Sequence, residues 1–503
     1  MDFLDPKKER RNRLLLLVGY CFVALAIGIA TLVLLYQSYG YGVDRQGNVT
    51  QNGLVFVSSQ PNGAAIYLNG KRYKSDTDSR VVTPAGSYSL RISETGYRTW
   101  QRPIYVAGGD VQHFDYPFLF PQQLKTTSVA DLDAAPSMTI QSLDRRWLLL
   151  DKPAASGLLT QYDLKNPAKP VVSTLTLPST SFTAGDGAQT WSQVEWANDN
   201  HHVLLLHTYQ TSSTTNHEYV LVDRDTPSNS LDLTTALKLT ADETPSLYNN
   251  RVEQFYVYDA SNTSLQRVNA SDDSVVSTLN HVLAFKTYGA DKLLYIADQP
   301  PSGKATPGKV SAVLQDGQKT IALRTLPAGA GSYALNLAQY SGDWYVAVAA
   351  ANDNSAYVYK NPQTQTANDS DGYPDIFRRL PLANPTYLSF SSNTQFLLAE
   401  SGQNFEVFDF ENIAQYHYKT TEPIDQPQVH ATWMDGDRLT YVSGGKLQVF
   451  DYDYRNHQTL ADASPNYLPF FSPDYHYLFT QRVGSADGVT KPALTSTSLV
   501  VKP

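Results

Sequence analysis

The sequence predicts an all-β ectodomain behind one N-terminal transmembrane helix, and three observations predict it. Leu14 to Tyr36 form a run of 23 residues without a charged side chain. The chain is rich in Tyr, Thr, Val and Ser, with 33 tyrosines in all, and these residue types are favoured in strands. From about residue 124 onward, a motif consisting of a polar turn and an apolar strand recurs.

The uncharged run is long enough to cross a membrane as a helix. At about 1.5 Å per residue it extends roughly 34 Å, which exceeds a hydrocarbon core of about 30 Å. Residues 1–13 carry five Lys or Arg against three Asp or Glu, and this positive flank predicts a cytoplasmic tail and an extracytoplasmic remainder. A cleaved signal peptide is the alternative, but this run is longer than a signal core and lacks a small-residue cleavage site. We therefore predict a single-pass anchor in the cell membrane that contacts the bilayer through residues 14–36.

A polar, Gly-rich linker is predicted for residues 37–52, followed by a small β domain over residues 53–120. Asn69-Gly70 follows the apolar segment Ala65–Leu68 and is the residue pair that two-residue hairpins favour. The polar stretch from Lys74 to Arg80 is interpreted as a connecting loop. The strand candidates are Leu54–Val57, Ala65–Leu68, Tyr88–Ile92 and, as the last strand of the domain, Trp100–Val106.

Four motifs in this domain match, as a set, one family of small β-sandwich modules. The segment resembles a PEGA domain, a module common in bacterial surface proteins, although the G-x-T-P that usually follows the hairpin is missing. The resemblance implies a surface-exposed interaction or spacer module and supplies no catalytic residues. The matching motifs are Gln60-Pro61-Asn62-Gly63-Ala64, Ile66–Gly70, Pro84–Tyr88 and Gly96-Tyr97.

Residues 124–503 are predicted to form a β-propeller of seven or eight blades. Eight copies of the recurring motif start roughly 40 to 55 residues apart, which is the blade period of propellers. The copies resemble the repeats of TolB-like and WD-type propellers. A pair of β-sandwich domains would also explain the short strands, but it would not explain the recurrence. The copies begin at Ser142, Trp196, Asn249, Tyr288, Ser341, Phe390, Trp433 and Phe471, and the second strand of the last copy is expected at Leu499–Val501.

The composition favours a bacterial envelope protein and argues against nucleic-acid binding. The single cysteine, Cys21, lies in the membrane run, so no disulfide is expected in the exported part, whereas exported eukaryotic domains usually contain disulfides. The net charge of −9 gives an acidic surface that repels phosphate backbones and anionic lipids.

No catalytic or cofactor-binding motif is found in the sequence. It contains neither a G-x-S-x-G nucleophile elbow nor an H-E-x-x-H metal motif. His201, His202 and His207 lie close together in one repeat and are interpreted as exposed turn residues. Aspartates that end the second strand of several repeats are candidate catalytic acids, but we interpret them as turn-forming residues that accept backbone hydrogen bonds. They are Asp163, Asp223, Asp259, Asp409 and Asp451.

One acidic loop is a candidate calcium site. It resembles the calcium loop of integrin-type FG-GAP repeats, with Asp369, Asp371 and Asp375 in the third, fifth and ninth places of the motif. Alternating oxygen ligands and a glycine turn suit Ca²⁺. The first place is Ala367, so one carboxylate is missing, and the favoured interpretation is a solvated loop with no bound cofactor.

Aromatic residues in the repeats have two interpretations. They could rim a face that binds sugars or peptides, or they could pack between blades, and packing is favoured because aromatic side chains bury large areas. The residues are Trp191, Trp196, Tyr209, Trp344, Trp433 and Tyr441.

These observations together predict a non-catalytic binding or scaffold protein of the cell envelope. Its partner would be an envelope protein, peptide or glycan, contacted through loops of the propeller, because a rigid scaffold usually presents its binding residues on loops. The alternative is an extracytoplasmic propeller enzyme, a hydrolase or lyase that acts on envelope glycans or peptides.

Overall fold

The computed structural model describes most of the chain and divides it into two compact units. The first unit comprises Met1–Gln123 and Val500–Pro503, and the second comprises Leu124–Leu499. The described residues are 6–38, 40–43, 49–153, 157–187, 189–212, 214–301, 306–365, 372–426, 428, 430–484 and 491–501.

The first unit begins with a helix, α1, from Pro6 to Ser38. Its Arg10–Ser38 portion of 29 residues is long and apolar enough to cross a membrane, and none of the apolar stretch is buried within the protein. The hydroxyl groups of Thr31 and Ser38 bond inside the helix, to the carbonyls of Ile27 at 2.8 Å and Leu35 at 2.7 Å. The predicted helix is therefore confirmed, with the properties of either a membrane span or a signal sequence.

The remainder of the first unit consists of eight strands in two four-stranded sheets. They are β1 Tyr41–Val43, β2 Val49–Val57, β3 Ala65–Leu68, β4 Lys71–Asp76, β5 Ser79–Pro84, β6 Gly86–Ser93, β7 Trp100–Val106 and β8 Val111–Phe114.

The two sheets pack into a β-sandwich around one core. In the first sheet, β2 pairs with β1 and β5 in antiparallel fashion and with β8 in parallel, and the second sheet has the order β4-β3-β6-β7. Val55 and Val81 of the first sheet share a hydrophobic cluster with Ile92 and Trp100 of the second. The Asn69-Gly70 turn between β3 and β4 has positive φ at both residues, as a type I′ hairpin requires.

Two expectations for this unit are wrong. The polar stretch from Lys74 to Arg80 is not a loop, because it contains the end of β4 and the start of β5. The side chains of β4 are exposed or half-buried, so its polar composition gave no strand signal. β7 is not the last strand either, since β8 follows it, and that four-residue strand is too short to show a periodic pattern.

The second unit contains eight four-stranded sheets, which are the blades of a propeller. Blades 1 to 4 are formed by β10 Thr139–Gln141, β11 Trp147–Asp151, β12 Leu158–Asp163 and β13 Val171–Thr176; β14 Thr190–Trp196, β15 His202–Thr211, β16 Thr214–Asp223 and β17 Leu231–Asp232; β18 Glu243–Tyr248, β19 Arg251–Asp259, β20 Ser264–Asn269 and β21 Val275–Leu279; and β22 Val282–Tyr288, β23 Lys292–Ala297, β24 Lys309–Asp316 and β25 Lys319–Pro327.

Blades 5 to 8 continue the series, and the last blade recruits the strand that opens the unit. They are formed by β26 Tyr333–Tyr340, β27 Asp343–Ala350, β28 Ser355–Lys360 and β29 Arg378–Pro381; β30 Tyr387–Phe390, β31 Phe396–Ser401, β32 Asn404–Asp409 and β33 Ala414–Lys419; β34 Thr432–Trp433, β35 Arg438–Ser443, β36 Lys446–Asp451 and β37 Gln458–Asp462; and β38 Phe470–Phe471, β39 Tyr477–Arg482, β40 Ala493–Ser498 and β9 Lys125–Asp131. A short helix, α2 Leu233–Ala236, and two single 3₁₀ turns, Pro227–Asn229 and Pro362–Thr364, complete the unit.

The ring closes through blade 8, whose outer strand β9 precedes all the other blades in sequence. β9 pairs with β40 over six residue pairs, and the hydroxyl groups of Thr126 and Thr497 are 2.7 Å apart. Leu494 of blade 8 shares a cluster with Leu148 of blade 1. The prediction of a propeller is confirmed, with eight blades.

The last blade differs from the prediction in the position of one strand. The expected strand at Leu499–Val501 is instead β40, Ala493–Ser498, and Leu499 is a buried residue just beyond it. β40 consists largely of Thr and Ser, so it lacks the apolar run by which the other repeats were recognised.

The recurring polar turn joins the first and second strands of a blade. In blade 1, the hydroxyl group of Ser142 donates to Asp144 Oδ1 at 2.5 Å and accepts the backbone N–H of Trp147 at 3.0 Å. Blade 6 repeats these bonds with Ser391, Asn393 and Phe396, and blade 8 repeats them with Ser472, Asp474 and Tyr477. Because strands in a blade are antiparallel, these turns and the ends of the third strands lie on one side of the ring, which we call the strand-end face.

Substitution of Trp196 tests the packing between blades. Its side chain is 1% exposed and lies in the cluster shared by blades 1 and 2, while its indole nitrogen has no hydrogen-bond partner in the described structure. We expect Trp196→Ala to lower the free energy of unfolding by about 3–5 kcal/mol, measured by chemical denaturation. Trp196→Phe keeps one six-membered aromatic ring and removes the unpaired N–H, so we expect it to cost clearly less than Trp196→Ala. Equal losses in the two variants would contradict this packing.

Candidate functional site at the strand-end face

Four of the five strand-end aspartates cap turns in the way predicted. Asp223 Oδ1 accepts the backbone N–H groups of Asp225 and Thr226, at 3.0 and 2.8 Å. Asp259 ends the second strand of blade 3 and so lies on the opposite side of the ring from the strand-end face. It accepts similar bonds from Ser261 and Asn262, and their side chains, Asn262 first, lower the pKa of Asp259 to about 2. Asp163 and Asp409 accept backbone bonds of the same kind.

Asp163 is also neutralised by a cation. Its carboxylate accepts two bonds from the Arg146 guanidinium, at 2.8 and 2.7 Å, and this arginine lowers the pKa of Asp163. The aspartates of blades 1 to 3 are therefore already occupied by turn contacts, as a structural role requires.

At the junction of blades 6 and 7, the strand-end aspartates lie near further carboxylates. Asp409 and Asp451 end the third strands of the two blades, and both act electrostatically on Asp437 in the first turn of blade 7. Asp435 belongs to the same turn. We call Asp409, Asp435, Asp437 and Asp451 the acidic recess. Asp409 and Asp451 are candidates from the sequence, but their position near the other two is visible only in the structure.

One buried arginine partly neutralises the acidic recess. The Arg438 guanidinium donates to Asp435 Oδ2 at 2.8 and 2.6 Å, and Arg438 lies opposite Asp451 in the pairing of β35 with β36. Arg438 is 6% exposed, while Asp409 and Asp451 are 0% and 2% exposed. Arg438 thus bonds to Asp435 and lies opposite Asp451, and its positive charge also acts on Asp437.

Asp437 is the chemically distinctive member of the acidic recess. Its side chain is half-buried, and its carboxylate has no hydrogen-bond partner among the described residues, although its backbone N–H donates to Asp435 Oδ1 at 2.8 Å. Burial raises the pKa of Asp437 to about 7, and the charges of Asp435, Asp451 and Asp409 add to this rise while Arg438 opposes it. A carboxyl group of this kind titrates near neutral pH.

Close contact between neighbouring turns places Asp437 on this face. A Cβ atom at Gly436 would lie 2.4 Å from Asn393 Nδ2 in the first turn of blade 6, so glycine lets the two turns approach. On the other side, Arg145 of blade 1 donates to the carbonyl of Met434 at 3.3 Å and lies 4.4 Å from the ring of Tyr475 in blade 8. The signal in the sequence is Asp-Gly-Asp-Arg at 435–438, which has the form of one more copy of the repeat.

The interpretation of the histidines is wrong for His207. That side chain is fully buried, with Nδ1 2.8 Å from Glu218 Oε1 and Nε2 3.0 Å from Gln189 Oε1, and it stacks on Trp191 at 4.1 Å. β15 and β16 are ten residues long, so His207 lies inside an extended hairpin rather than in a turn. His201 is exposed and His202 half-buried, and each bonds to an aspartate.

The aromatic residues pack largely as favoured. Trp191, Trp196 and Tyr441 are buried, whereas Tyr209, Trp344 and Trp433 are half-buried. None of them forms an exposed aromatic patch, which makes a sugar-stacking surface from these six residues a poor interpretation.

The calcium assignment remains a prediction. Asp369 and Asp371 lie outside the described residues. Asp375 is exposed, and its backbone N–H donates to Gln365 Oε1 at 2.7 Å. Within the described ranges, no group of three or more His, Cys, Asp or Glu could hold a metal ion.

Comparison with known proteins identifies the sandwich but not the whole chain. Residues 52–119 match the PEGA domain family, which confirms the resemblance predicted for this segment. No curated protein matches the chain.

Two solved structures are similar to the chain at low identity. Kluyveromyces lactis Hsv2 is 12% identical with a TM-score of 0.40, over 65% of this chain and 98% of that one. The dihydro-heme d1 dehydrogenase NirN, in complex with DHE, is 12% identical with a TM-score of 0.39, over 80% of this chain and 74% of that one. These values are too low to support a functional argument, so the propeller assignment rests on the eight sheets themselves.

Neutralisation of Asp437 should change how stability depends on pH. Because its folded pKa of about 7 lies above the unfolded value of about 3.9, its stabilising contribution is present below pH 4 and is lost as the pH rises through 7. We therefore expect Asp437→Asn to raise the free energy of unfolding at pH 8 by about 1–2 kcal/mol after solvent screening, with a smaller gain at pH 6 and little difference at pH 4, measured by chemical denaturation at each pH.

A matched control lies on the same face. Asp474 occupies the turn position that Asn393 fills in blade 6, so Asp474→Asn removes the same charge and keeps the turn bond. The pKa of Asp474 is lowered, and this variant should show no gain at pH 8. A gain in both variants would indicate a general charge effect instead of a property of Asp437.

Proposed function

We propose that this protein is a membrane-anchored extracytoplasmic binding or scaffold protein of the bacterial cell envelope. Its helix α1 would hold the protein at the membrane with residues 1–13 in the cytoplasm. The PEGA-type sandwich and the propeller, both rich in surface loops, suit contact with a partner. A binding or scaffold role of this kind requires neither a catalytic residue nor a cofactor.

The observation that carries the proposal is the unpartnered Asp437 carboxylate in the acidic recess. A recess with more carboxylates than cations attracts a positive group, and a half-exposed carboxylate can form a charge-assisted hydrogen bond to it. The strand-end face therefore suits a partner protein or peptide that inserts a lysine or arginine side chain. A glycan is the less favoured ligand, because an uncharged sugar would leave this charge uncompensated.

Binding of such a ligand should depend on pH through Asp437. A cationic side chain binds the ionised carboxylate, and a group with a pKa of about 7 is ionised about tenfold more at pH 8 than at pH 6. Screening the full-length protein in nanodiscs against peptide and glycan libraries should yield basic peptides. Their affinity should rise about tenfold between pH 6 and pH 8.

Two variants test whether Asp437 is the contact. Asp437→Asn should weaken peptide binding and remove its pH dependence, whereas Asp474→Asn should retain both. If the selected ligands are uncharged glycans, or if both variants bind equally well, the acidic recess is not the binding site.

An enzyme is the second candidate, and the same residue favours it. A carboxyl group with a pKa near 7 can act as a general acid or base at neutral pH, which fits a hydrolase or lyase acting on envelope peptides or glycans. Turnover of a library member that is abolished in Asp437→Asn and retained in Asp474→Asn would support the enzyme over the scaffold.

The proposed topology has its own test. Protease added to intact cells should degrade the chain beyond residue 36 and leave only a membrane-embedded N-terminal fragment, because the domains after α1 are outside. Protection of the PEGA-type sandwich in intact cells, with digestion only after lysis, would place the domains in the cytoplasm and reject the proposal.

A further inference from the structure

The outer strands of the eight blades differ in how they are protected from pairing with other strands. An outer strand has one unpaired edge, and natural proteins commonly block such edges with charged residues or proline. Six of the eight outer strands contain at least one Lys, Arg or Asp, and two contain no charged residue. The two are β13 in blade 1 and β21 in blade 3.

These two strands share a sequence and an unusual surface. Both begin with Val-Val-Ser-Thr-Leu, at residues 171–175 and 275–279. The Val171 and Val172 side chains are 68% and 59% exposed, and those of Val275 and Val276 are 53% and 41% exposed. Consecutive strand residues point to opposite faces, so each strand exposes a β-branched residue on both faces beside its free edge.

The two strands differ in the regularity of their pairing. β13 pairs with β12 in an unbroken register over six residue pairs. The pairing of β21 with β20 shifts between Arg267 and Val268 and leaves Val276 without an opposite residue. A bulge of this kind twists a strand edge and is itself a device that discourages pairing. Among the outer strands in the described part of the chain, β13 alone has neither a charge nor an irregular register.

We propose that β13 pairs edge to edge, in antiparallel orientation, with β13 of a second copy of this chain. Antiparallel pairing centred on Ser173 places Val171 opposite Leu175, Val172 opposite Thr174, and Ser173 opposite its counterpart. Aliphatic, β-branched and hydroxyl pairs of this kind stabilise neighbouring strands. The segment is therefore complementary to itself, and no charge is brought opposite a like charge.

The symmetry of this contact limits the assembly to a dimer. The same strand forms both sides of the contact, so the two copies are related by a two-fold axis and the assembly closes. The first blades of the two copies then form one continuous eight-stranded sheet. A contact between two six-residue strands is small, so the dimer forms in a concentration-dependent manner, and tethering of two copies to one membrane would raise their effective concentration.

Disulfide trapping of the full-length protein in detergent micelles tests the proposed register. In a Cys21→Ser background, Ser173→Cys places one thiol at the two-fold axis, so mild oxidation should give a covalent dimer. Ser277→Cys is the matched control at the equivalent position of the bulged β21, and Thr127→Cys is a control on the charged outer strand β9. We expect at least about fivefold more dimer from Ser173→Cys than from either control, because only its edge is unprotected.

Sedimentation of the native protein tests whether the β13–β13 dimer forms, whichever residues face each other across the contact. The native chain should shift from monomer to dimer with increasing concentration. Val172→Lys should remain monomeric with an unchanged unfolding temperature, because Val172 is exposed, and Val276→Lys should dimerise as the native chain does. Equal cross-linking of the three cysteine variants, or an undiminished dimer in Val172→Lys, would overturn the proposal. Association of β13 with another protein in place of a second copy would also overturn it.

Discussion

The pairing of β9 with β40 is the interaction on which the propeller depends. Each blade is a four-stranded sheet with two apolar faces, and neither face is buried unless a neighbouring blade covers it. Clusters such as Leu148 with Leu494 show that the last blade covers the first. The ring therefore becomes a closed core only when a strand that precedes blade 1 completes blade 8. That contact joins residues 371 positions apart, as between Thr126 and Thr497, so a large loop-closure entropy opposes it.

The position of each aspartate within its blade explains why the aspartates of the repeats have different environments. The local sequence places an aspartate at the end of a third strand, and its carboxylate bonds to the backbone of the turn that follows, as at Asp223. The first turn of the same blade then supplies the nearby charges. In blade 1 that turn contributes Arg146, whereas in blade 7 it contributes Asp435 and Asp437, and Asp409 of blade 6 adds its charge. The proposed site is thus formed mainly by blade 7 and completed by blade 6, while each strand-end aspartate taken alone is a turn residue.

Whether the free edge of an outer strand is protected from pairing also depends partly on its own sequence and partly on the surrounding structure. Charged residues on six outer strands are visible in the sequence, but their meaning is clear only when the structure shows that these strands are outermost. The identical Val-Val-Ser-Thr-Leu segments have different exposed edges because one of them contains a bulge. Sequence identity between two strands therefore does not imply equal availability for pairing.

The sequence by itself determined the large-scale organisation of this protein. An uncharged run of 23 residues can satisfy its backbone only as a helix, the PEGA motifs combine turn residues with specific φ requirements, and the repeat period predicts blades. Local patterns of this kind follow from backbone geometry and from alternating burial. They failed where a strand had no apolar pattern, as in the polar β4, the four-residue β8 and the Thr/Ser-rich β40. Burial of His207 and the grouping of Asp437 with Asp409 and Asp451 were decided only by tertiary structure. Strand pairing and blade stacking bring these residues together, and the number of residues between them in the sequence does not predict their distance in space.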